Sequence, residues 1–407
     1  MRTTIIAAAV LLIAACDPSL EIIETKPAKP LDLSTKQAGY VARGNDFAFS
    51  FLDEVGSVSE KDFVISPLSM QFLLGMILDG ANGDTAAEIC ATLGYGAGET
   101  DEVDAFCRSM LNQLPKLDAM TKLTLANAII VDKGYPLVDK YIAQVKKYYD
   151  AEVSNLDFAD TEGSAAKINK WCSDHTEGLI PKILDNTDPD MLAYLLNALY
   201  FKSQWSTKFD VKATVEEKFA APGTEGVKTL MMKQHGKFEY TETEWFQAVR
   251  LPYGNKAYSM TVLLPKGEYG PEQAARYFRK NSWDNFRWSM FDCSVDLWLP
   301  RFETRFGIGL NDILSGMGMP LSFSPKADFL GMSPYAMYLS FVRQDAVIKV
   351  DEEGSEAAAV SSAGMYKTTA IGEEAPPVIF HATRPFVYLI SENSSGVVLF
   401  AGRYSGK

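Results

Sequence analysis

Near its C-terminus the chain carries a stretch that a globular core cannot use. An apolar, strand-like segment, Tyr338 to Val350, runs into Glu352-Glu353-Gly354-Ser355-Glu356-Ala357-Ala358-Ala359-Val360, and no core pattern returns until Val378-Ile379-Phe380. About 25 residues without an apolar pattern is long for a connection inside a compact domain, and such loops are functional or disordered. This one is too weakly charged and too poor in proline for pure disorder. Read with period two, one face presents Ser355, Ala357, Ala359, Ser361, Ala363 and Met365, and the other Glu356, Ala358, Val360, Ser362, Gly364 and Tyr366. The first face is small almost throughout. Small side chains let a strand slide between two packed strands without overpacking, and a strand so placed satisfies two rows of backbone groups. A flexible Ala/Ser linker has the same composition, so the surrounding segments must decide.

The 407 residues hold one large domain or two to three ordinary ones, and a hydrophobic share of 47% supplies ample core. The net charge of -13 argues against a nucleic-acid partner, which needs clustered Lys and Arg. Lys140, Lys146 and Lys147 read as the wet face of a helix.

Arg2 precedes an apolar run, Ile5 to Ala15, that is too short to span a bilayer and fits a signal-peptide core over residues 1–15. The run ends in Ile13-Ala14-Ala15-Cys16, which resembles the bacterial lipobox, with Cys16 as the lipidated first residue. Residues 16–36, with Asp17-Pro18 and scattered Pro, Lys and Glu, read as a tether. The expectation is a chain lipid-anchored outside the cytoplasm, at the outer membrane, touching the membrane through its acyl chains alone. Cys90, Cys107, Cys172 and Cys293 show no CxxC spacing and are expected as buried free thiols.

Residues 37–407 read as one α+β domain, helical first and strand-rich later. Gln37 to Leu52 has helical spacing, and Ser66-Pro67 opens a second helix with Ser66 as N-cap. Asp84 to Leu93, Val103 to Leu114, Leu137 to Tyr149 and Ser164 to Thr176 are further helices, and Lys122 to Val131 a strand. Met191 to Phe201 is almost continuously apolar, as a strand buried on both faces would be. Ala248 to Leu251 and Ser259 to Leu264 flank the hairpin signal Pro252-Tyr253-Gly254-Asn255. Val295 to Leu299, Phe386 to Ser391 and Val397 to Tyr404 complete a set of mostly antiparallel sheets.

The order and content of these segments resemble the serpin family across nearly the whole chain after the tether. The resemblance is carried by Phe63-Val64-Ile65-Ser66-Pro67-Leu68-Ser69, by Gly80 to Ile89, and by Asn197-Ala198-Leu199-Tyr200-Phe201-Lys202 with Trp205 and Phe209. Leu251-Pro252-Tyr253, Leu299-Pro300-Arg301-Phe302, Leu314 to Met319, Ala327-Asp328-Phe329, the Glu352 hinge, and Arg384-Pro385-Phe386 through Phe400-Ala401-Gly402-Arg403 continue it. Each piece alone is weak; together and in order they are specific. Two departures stand out. Gln344-Asp345-Ala346 occupies the place of the family's His-Lys-Ala, and Arg384 that of a His. The polar network expected at the top of the sheet is thereby altered.

The resemblance implies a serpin fold, about nine helices around three β-sheets, with an exposed reactive-centre loop over about residues 352–377. It implies a monomeric suicide-substrate inhibitor of serine proteases, and of papain-like cysteine proteases too, which needs no cofactor or metal. Gly354 permits the hinge rotation and Ser355 is small enough to enter a sheet first, whereas Glu352, Glu353 and Glu356 are expected near the surface. Lys367 is the only basic residue in the loop, so a trypsin-like pocket selects cleavage at Lys367-Thr368. Counting from the hinge as the family does puts the bond after Thr368, before Thr369, which suits elastase-like enzymes; Tyr366 suits chymotrypsin-like ones. Several adjacent bonds fit broad specificity.

An enzyme and a non-inhibitory surface binding protein of the same fold compete with this reading. His175, His235 and His381 stand in no nucleophile or zinc motif. Asp174-His175 near Glu177 reads as a surface or capping group, because i,i+1 residues share no helix face. Gly94, Gly96 and Gly98 read as a turn, and the sequon Asn393-Ser394-Ser395 carries little weight in a bacterial chain.

Overall fold

The computed structural model describes residues 26–355, apart from 222 and 224, and residues 376–407. In chain order, α1 (Thr35–Val58), β1 (Phe63–Ile65), α2 (Pro67–Asp79), α3 (Gly83–Leu93) and α4 (Thr100–Gln113) come first. Next are β2 (Lys122–Asp132), α5 (Asp139–Tyr149), β3 (Glu152–Leu156), α6 (Thr161–His175) and β4 (Ala193–Gln204). Then follow β5 (Val215–Phe219), β6 (Val227–Glu242), β7 (Phe246–Tyr253), β8 (Tyr258–Pro265), α7 (Pro271–Phe278) and α8 (Trp283–Trp288). The described chain ends with β9 (Phe291–Pro300), β10 (Phe302–Gly309), α9 (Asn311–Gly316), β11 (Arg343–Val350), β12 (Gly354–Ser355), β13 (Val378–His381), β14 (Phe386–Glu392) and β15 (Val398–Tyr404).

Nine α-helices among the described residues pack around the strands, as expected. A nine-stranded group runs β1-β15-β14-β8-β7-β6-β9-β13, with β5 on β6, and a six-stranded sheet runs β10-β11-β12-β4-β2-β3. The long β6 makes two sheets of the first group: Met231 to Tyr240 pair with β9, and Glu239 to Glu242 pair with β7. Three layers result, two of them fused through one strand.

Local sequence explains the helices that frame the sheets. The Ser66 hydroxyl accepts the Ser69 N–H at 3.2 Å, Pro67 takes the first turn, and every residue from Pro67 to Leu78 is buried. A helix apolar all round belongs at the centre of a core. Helix α1 starts earlier than its apolar spacing predicts, because Ser34 and Gln37 form a capping box. The expected tether to Lys36 is therefore shorter. Leu31 is buried, its N–H donates to Ser394 Oγ at 2.9 Å, and Asp32 N–H donates to Gln113 Oε1 at 2.8 Å.

Strand β4 has hydrophobic cover on both faces, as its apolar run predicts. Tyr194 and Leu196 join a small cluster with Phe158, Ile168 and Cys172, while Ala193, Leu195, Leu199 and Phe201 line the main core. The strand expected from Tyr338 begins only at Arg343. Before it the chain is held by other partners: Leu339 N–H donates to Ser322 O, and Val342 N–H to Asn311 Oδ1. Cys90, Cys107 and Cys172 are buried free thiols; Cys293 is half-buried.

Candidate functional site: the hinge and the slot

Strands β4 and β11 flank β12 in the six-stranded sheet, and among the described residues no ladder joins them directly. Only the two residues of β12 lie between them. Gly354 pairs with Gln204 and Ser355 with Ser203 on one side, and Ser355 with Val350 on the other, all antiparallel. Gly354 and Ser355, the described start of the hinge, thus form a strand between β4 and β11. Ser355 is buried, and its Oγ lies 2.6 Å from the Tyr253 hydroxyl. Burial pushes the Tyr253 phenol up, so it keeps its proton. Ser203, opposite Ser355, is also buried and lies 2.7 Å from Thr121 Oγ.

Gly354 is required by a close approach. A Cβ at this position would lie 2.0 Å from Ser203 O and 2.7 Å from Gln204 Cα, both backbone atoms that cannot swing away. The turn leading in is closed by Asp351, whose carboxylate accepts the N–H groups of Glu353 at 3.0 Å and Gly354 at 3.3 Å. Burial raises the Asp351 carboxyl above its ordinary range, opposed by those two N–H donors.

Glu352 and Glu353 are less exposed than expected. Glu352 is only 3% exposed, because its carboxylate receives Arg301 Nη2 at 2.5 and 2.6 Å and the Thr214 hydroxyl at 2.6 Å. Burial works against its charge, but Arg301 and Thr214 outweigh that and hold its carboxyl below the usual range. Glu353 is half-buried and paired with Lys208. Backbone bonds fix the same turn: Trp205 N–H donates to Glu353 O at 2.8 Å, Phe209 N–H to Glu352 O at 3.0 Å, and Trp205 Nε1–H to Asp351 O at 2.8 Å. The Trp205 ring stacks on Tyr253 with centroids 4.4 Å apart. The hinge is therefore anchored up to Ser355. Sequence reasoning named Trp205, Phe209, Tyr253 and Arg301 only as parts of motifs, and Thr214, Lys208 and Ser203 not at all. Nothing local in the sequence links those positions to the hinge.

Gln344 lies at the far end of β11, six residues from Val350, so the altered polar network is not at the hinge end as expected. Its side chain closes a two-way contact with the start of α2, accepting from Ser66 N–H at 3.0 Å and donating to Ser66 O at 2.9 Å. On β4, Asn197 Nδ2 donates to Asn127 Oδ1 at 2.6 Å, and the Ser69 hydroxyl bonds Asn197 Oδ1. Arg384 donates twice to Pro265 O, at 2.9 and 2.6 Å. The histidine of the Asp174-His175 pair is engaged on its own helix: His175 Nδ1 lies 2.8 Å from Trp171 O. Asp174 pairs with Lys170.

The remaining hinge residues, Glu356, Ala357, Ala358, Ala359 and Val360, lie outside the described residues. So do the bait residues Tyr366, Lys367, Thr368 and Thr369, and Cys16.

An α+β fold in which a two-residue strand, anchored at its turn, lies between β4 and β11 is the frame the site rests on. Comparison with known proteins gives it a family. The serpin (serine protease inhibitor) family model matches residues 42–406, and the chain belongs to that family. It is 32% identical to chicken (Gallus gallus) neuroserpin over 358 residues, covering 84% of this chain and 86% of that protein. It is also 32% identical to human serpin B3 over 385 residues, covering 88% and 97%. Among solved structures, the thermophilic serpin tengpin in its native state aligns with TM-score 0.82 and 26% identity, covering 95% of this chain and 98% of that one. Thyroxine-binding globulin complexed with thyroxine aligns with TM-score 0.80 and 25% identity, covering 91% and 98%.

Proposed function

We propose that the protein is a suicide-substrate inhibitor of serine proteases, with Lys367-Thr368 as its main bait bond and loop insertion as its trap. The observation that carries this reading is Ser355, already seated between β4 and β11 with ladder partners on both sides. The serine Oγ of a trypsin-like enzyme adds to the Lys367 carbonyl carbon. The bond to the Thr368 nitrogen breaks, that nitrogen leaves with the proton relayed by the protease's histidine, and Lys367 remains as an ester on the serine. Cutting there frees the hinge side of the loop. Insertion that continues from Ser355 to Lys367 covers roughly 40 Å at about 3.3 Å per residue, and the ester travels with it. A shift of about 1 Å in a catalytic group can already cost 10²-fold in rate, so water no longer completes the hydrolysis. Thr368 serves an elastase-like pocket and Tyr366 a chymotrypsin-like one by the same route; papain-like enzymes would be held as thioesters.

Incubation with trypsin tests this. The expected result is an SDS-stable band at the summed mass and a released C-terminal peptide that begins at Thr368. Clean cutting without that band would make the chain a substrate-like scaffold, the binding-protein alternative. Another N-terminus would move the bait bond.

A further inference from the structure

Two carboxyl groups meet where α2, α4 and α5 pack together. Asp79 is the last residue of α2, and Asp104 lies in the first half of α4 with no exposed surface. Both Asp104 oxygens take a donor from α5: Oδ1 accepts from the Tyr149 hydroxyl at 2.8 Å, and Oδ2 from Gln144 Nε2 at 2.5 Å. Tyr149 is itself wedged against α2, where a Cβ on Gly75 would overlap its hydroxyl. Asp79 is placed differently. Its Oδ2 is buried and receives no hydrogen bond, and the side-chain partner of its carboxyl is Asp104.

This geometry decides the charge state. Two ionised carboxylates in contact repel, so one of them holds a proton. The proton belongs on Asp79 for two reasons. Asp104 has donors that favour its charged form, whereas an ionised Asp79 would leave a buried oxygen with no donor. Asp79 also stands at the C-terminal end of α2, where the last carbonyls disfavour negative charge. Once protonated, its carboxyl donates to Asp104 and the conflict is gone. Burial, and then the charge of Asp104, push the Asp79 carboxyl up to about 9. The other titratable and charged groups facing the pair are Asp101 and Cys107 on α4, and Lys140, Tyr141, Lys147 and Tyr149 on α5. Helix α2 contributes Asp79 alone. Asp101 adds to the repulsion, and Lys140 opposes it more weakly.

We propose that Asp79 and Asp104 share one proton and form a pH-sensitive clamp that ties α2 to α4 and α5, tight in acid and loosened in alkali. Tyr149 carries the tie onward, since its carbonyl accepts Asn127 Nδ2 of β2 at 2.6 Å. The clamp therefore bears on the six-stranded sheet, and it is independent of which bait bond is cut. An unfolded chain releases this proton near pH 4, the ordinary range of an aspartate, whereas the folded chain keeps it to about pH 9. The contribution of the clamp is thus whole below about pH 4 and is lost as pH rises toward the folded value.

Infrared spectroscopy of the wild-type chain at pH 7 tests this without any variant. The expected result is the carbonyl stretch of a protonated carboxyl in the folded chain, lost on heat unfolding. Its absence from the folded chain overturns the clamp. Asp79→Asn should remove the band, because its amide donates to Asp104 with no proton to hold; a band of undiminished strength places the proton elsewhere and overturns the clamp too. Calorimetry adds a pH profile. The Tm advantage of Asp79→Asn over wild type should grow steadily from pH 5 to pH 8, since only the wild type must take up a proton to fold. A gap that stays constant over that range means that Asp79 acts by shape alone, and the clamp is overturned.

Discussion

Strands β14 and β11 sit in the two main sheets and have opposite ledgers. Every residue of β14 is buried, with six paired to β8 and six to β15. Strand β11 pairs over all eight residues with β10, but on its other side a single residue, Val350, meets β12 among the described residues. A central strand with both ladders made is finished, and its burial stabilises every state of the fold alike. On the function proposed above, a cut loop adds its strand beside β11, a favourable step held in reserve because unpaired backbone groups are costly to bury and gain by pairing. By that reading one domain contains a rigid frame and a site that becomes more stable after a cut.

The largest expected effect breaks the reserve at its entrance. Gly354→Val places atoms where Ser203 O and Gln204 Cα already are, at 2.0 and 2.7 Å from the would-be Cβ. The hinge then cannot enter between β4 and β11. Trypsin should cut the variant cleanly at the bait bond and leave with full activity, with the SDS-stable band lost. A variant that traps as well as wild type would show that the seating of Ser355 is not the start of insertion.

Much of this was legible in the sequence, for definable reasons. The placement of Gly354 and Ser355 could be read because a glycine at a close backbone approach and a small side chain beside it are local requirements of a strand between two others. Helix α2 could be read because Ser66-Pro67 is a local signal. What was hidden is what distant segments supply. Glu352 looked like a surface acid, and nothing near it in sequence announces Arg301 and Thr214. The long β6 was missed because Lys233, Gln234, His235 and Lys237 break the apolar alternation. Asp104 of α4 is fully buried, accepting from Tyr149 OH at 2.8 Å and Gln144 Nε2 at 2.5 Å, near an Asp79 carboxyl pushed up to about 9 by burial and by Asp104, and no neighbour in sequence supplies those partners.

A middle-sized effect sharpens the contrast between frame and slot. Leu389 lies in β14 and is fully buried; Ile348 lies in β11, nearly buried beside the slot. Leu389→Ala should cost about 2–5 kcal/mol by the cavity it leaves, and equally in the uncut and the nicked chain. Ile348→Ala should cost more in the nicked chain than in the uncut one, because loop insertion completes the packing around that side chain. Calorimetry of all four samples reads this as Tm shifts, about 1 °C per kcal/mol for a chain of this size. The nicked wild type should itself melt well above the uncut chain. If Ile348→Ala lowers both Tm values alike, the slot stores nothing that insertion recovers.

The smallest expected effect concerns the latch before the slot. Glu352 has its folded pKa lowered, so its carboxylate stabilises the fold above its unfolded pKa, near 4.5, and that contribution is lost as pH falls through the folded value. Arg301 is 40% exposed, so solvent screens the pair and removing the arginine should cost only about 1–2 kcal/mol. The gap in Tm between wild type and Arg301→Ala should be full at pH 7, persist to about pH 5, and close toward pH 3 as the wild-type carboxylate gains its proton. The same variant in Leu389→Ala should simply add, since the frame and the latch share no partner. A gap of the same size at pH 7 and pH 3 would mean that Arg301 acts through packing of its stem and not through the charge of Glu352.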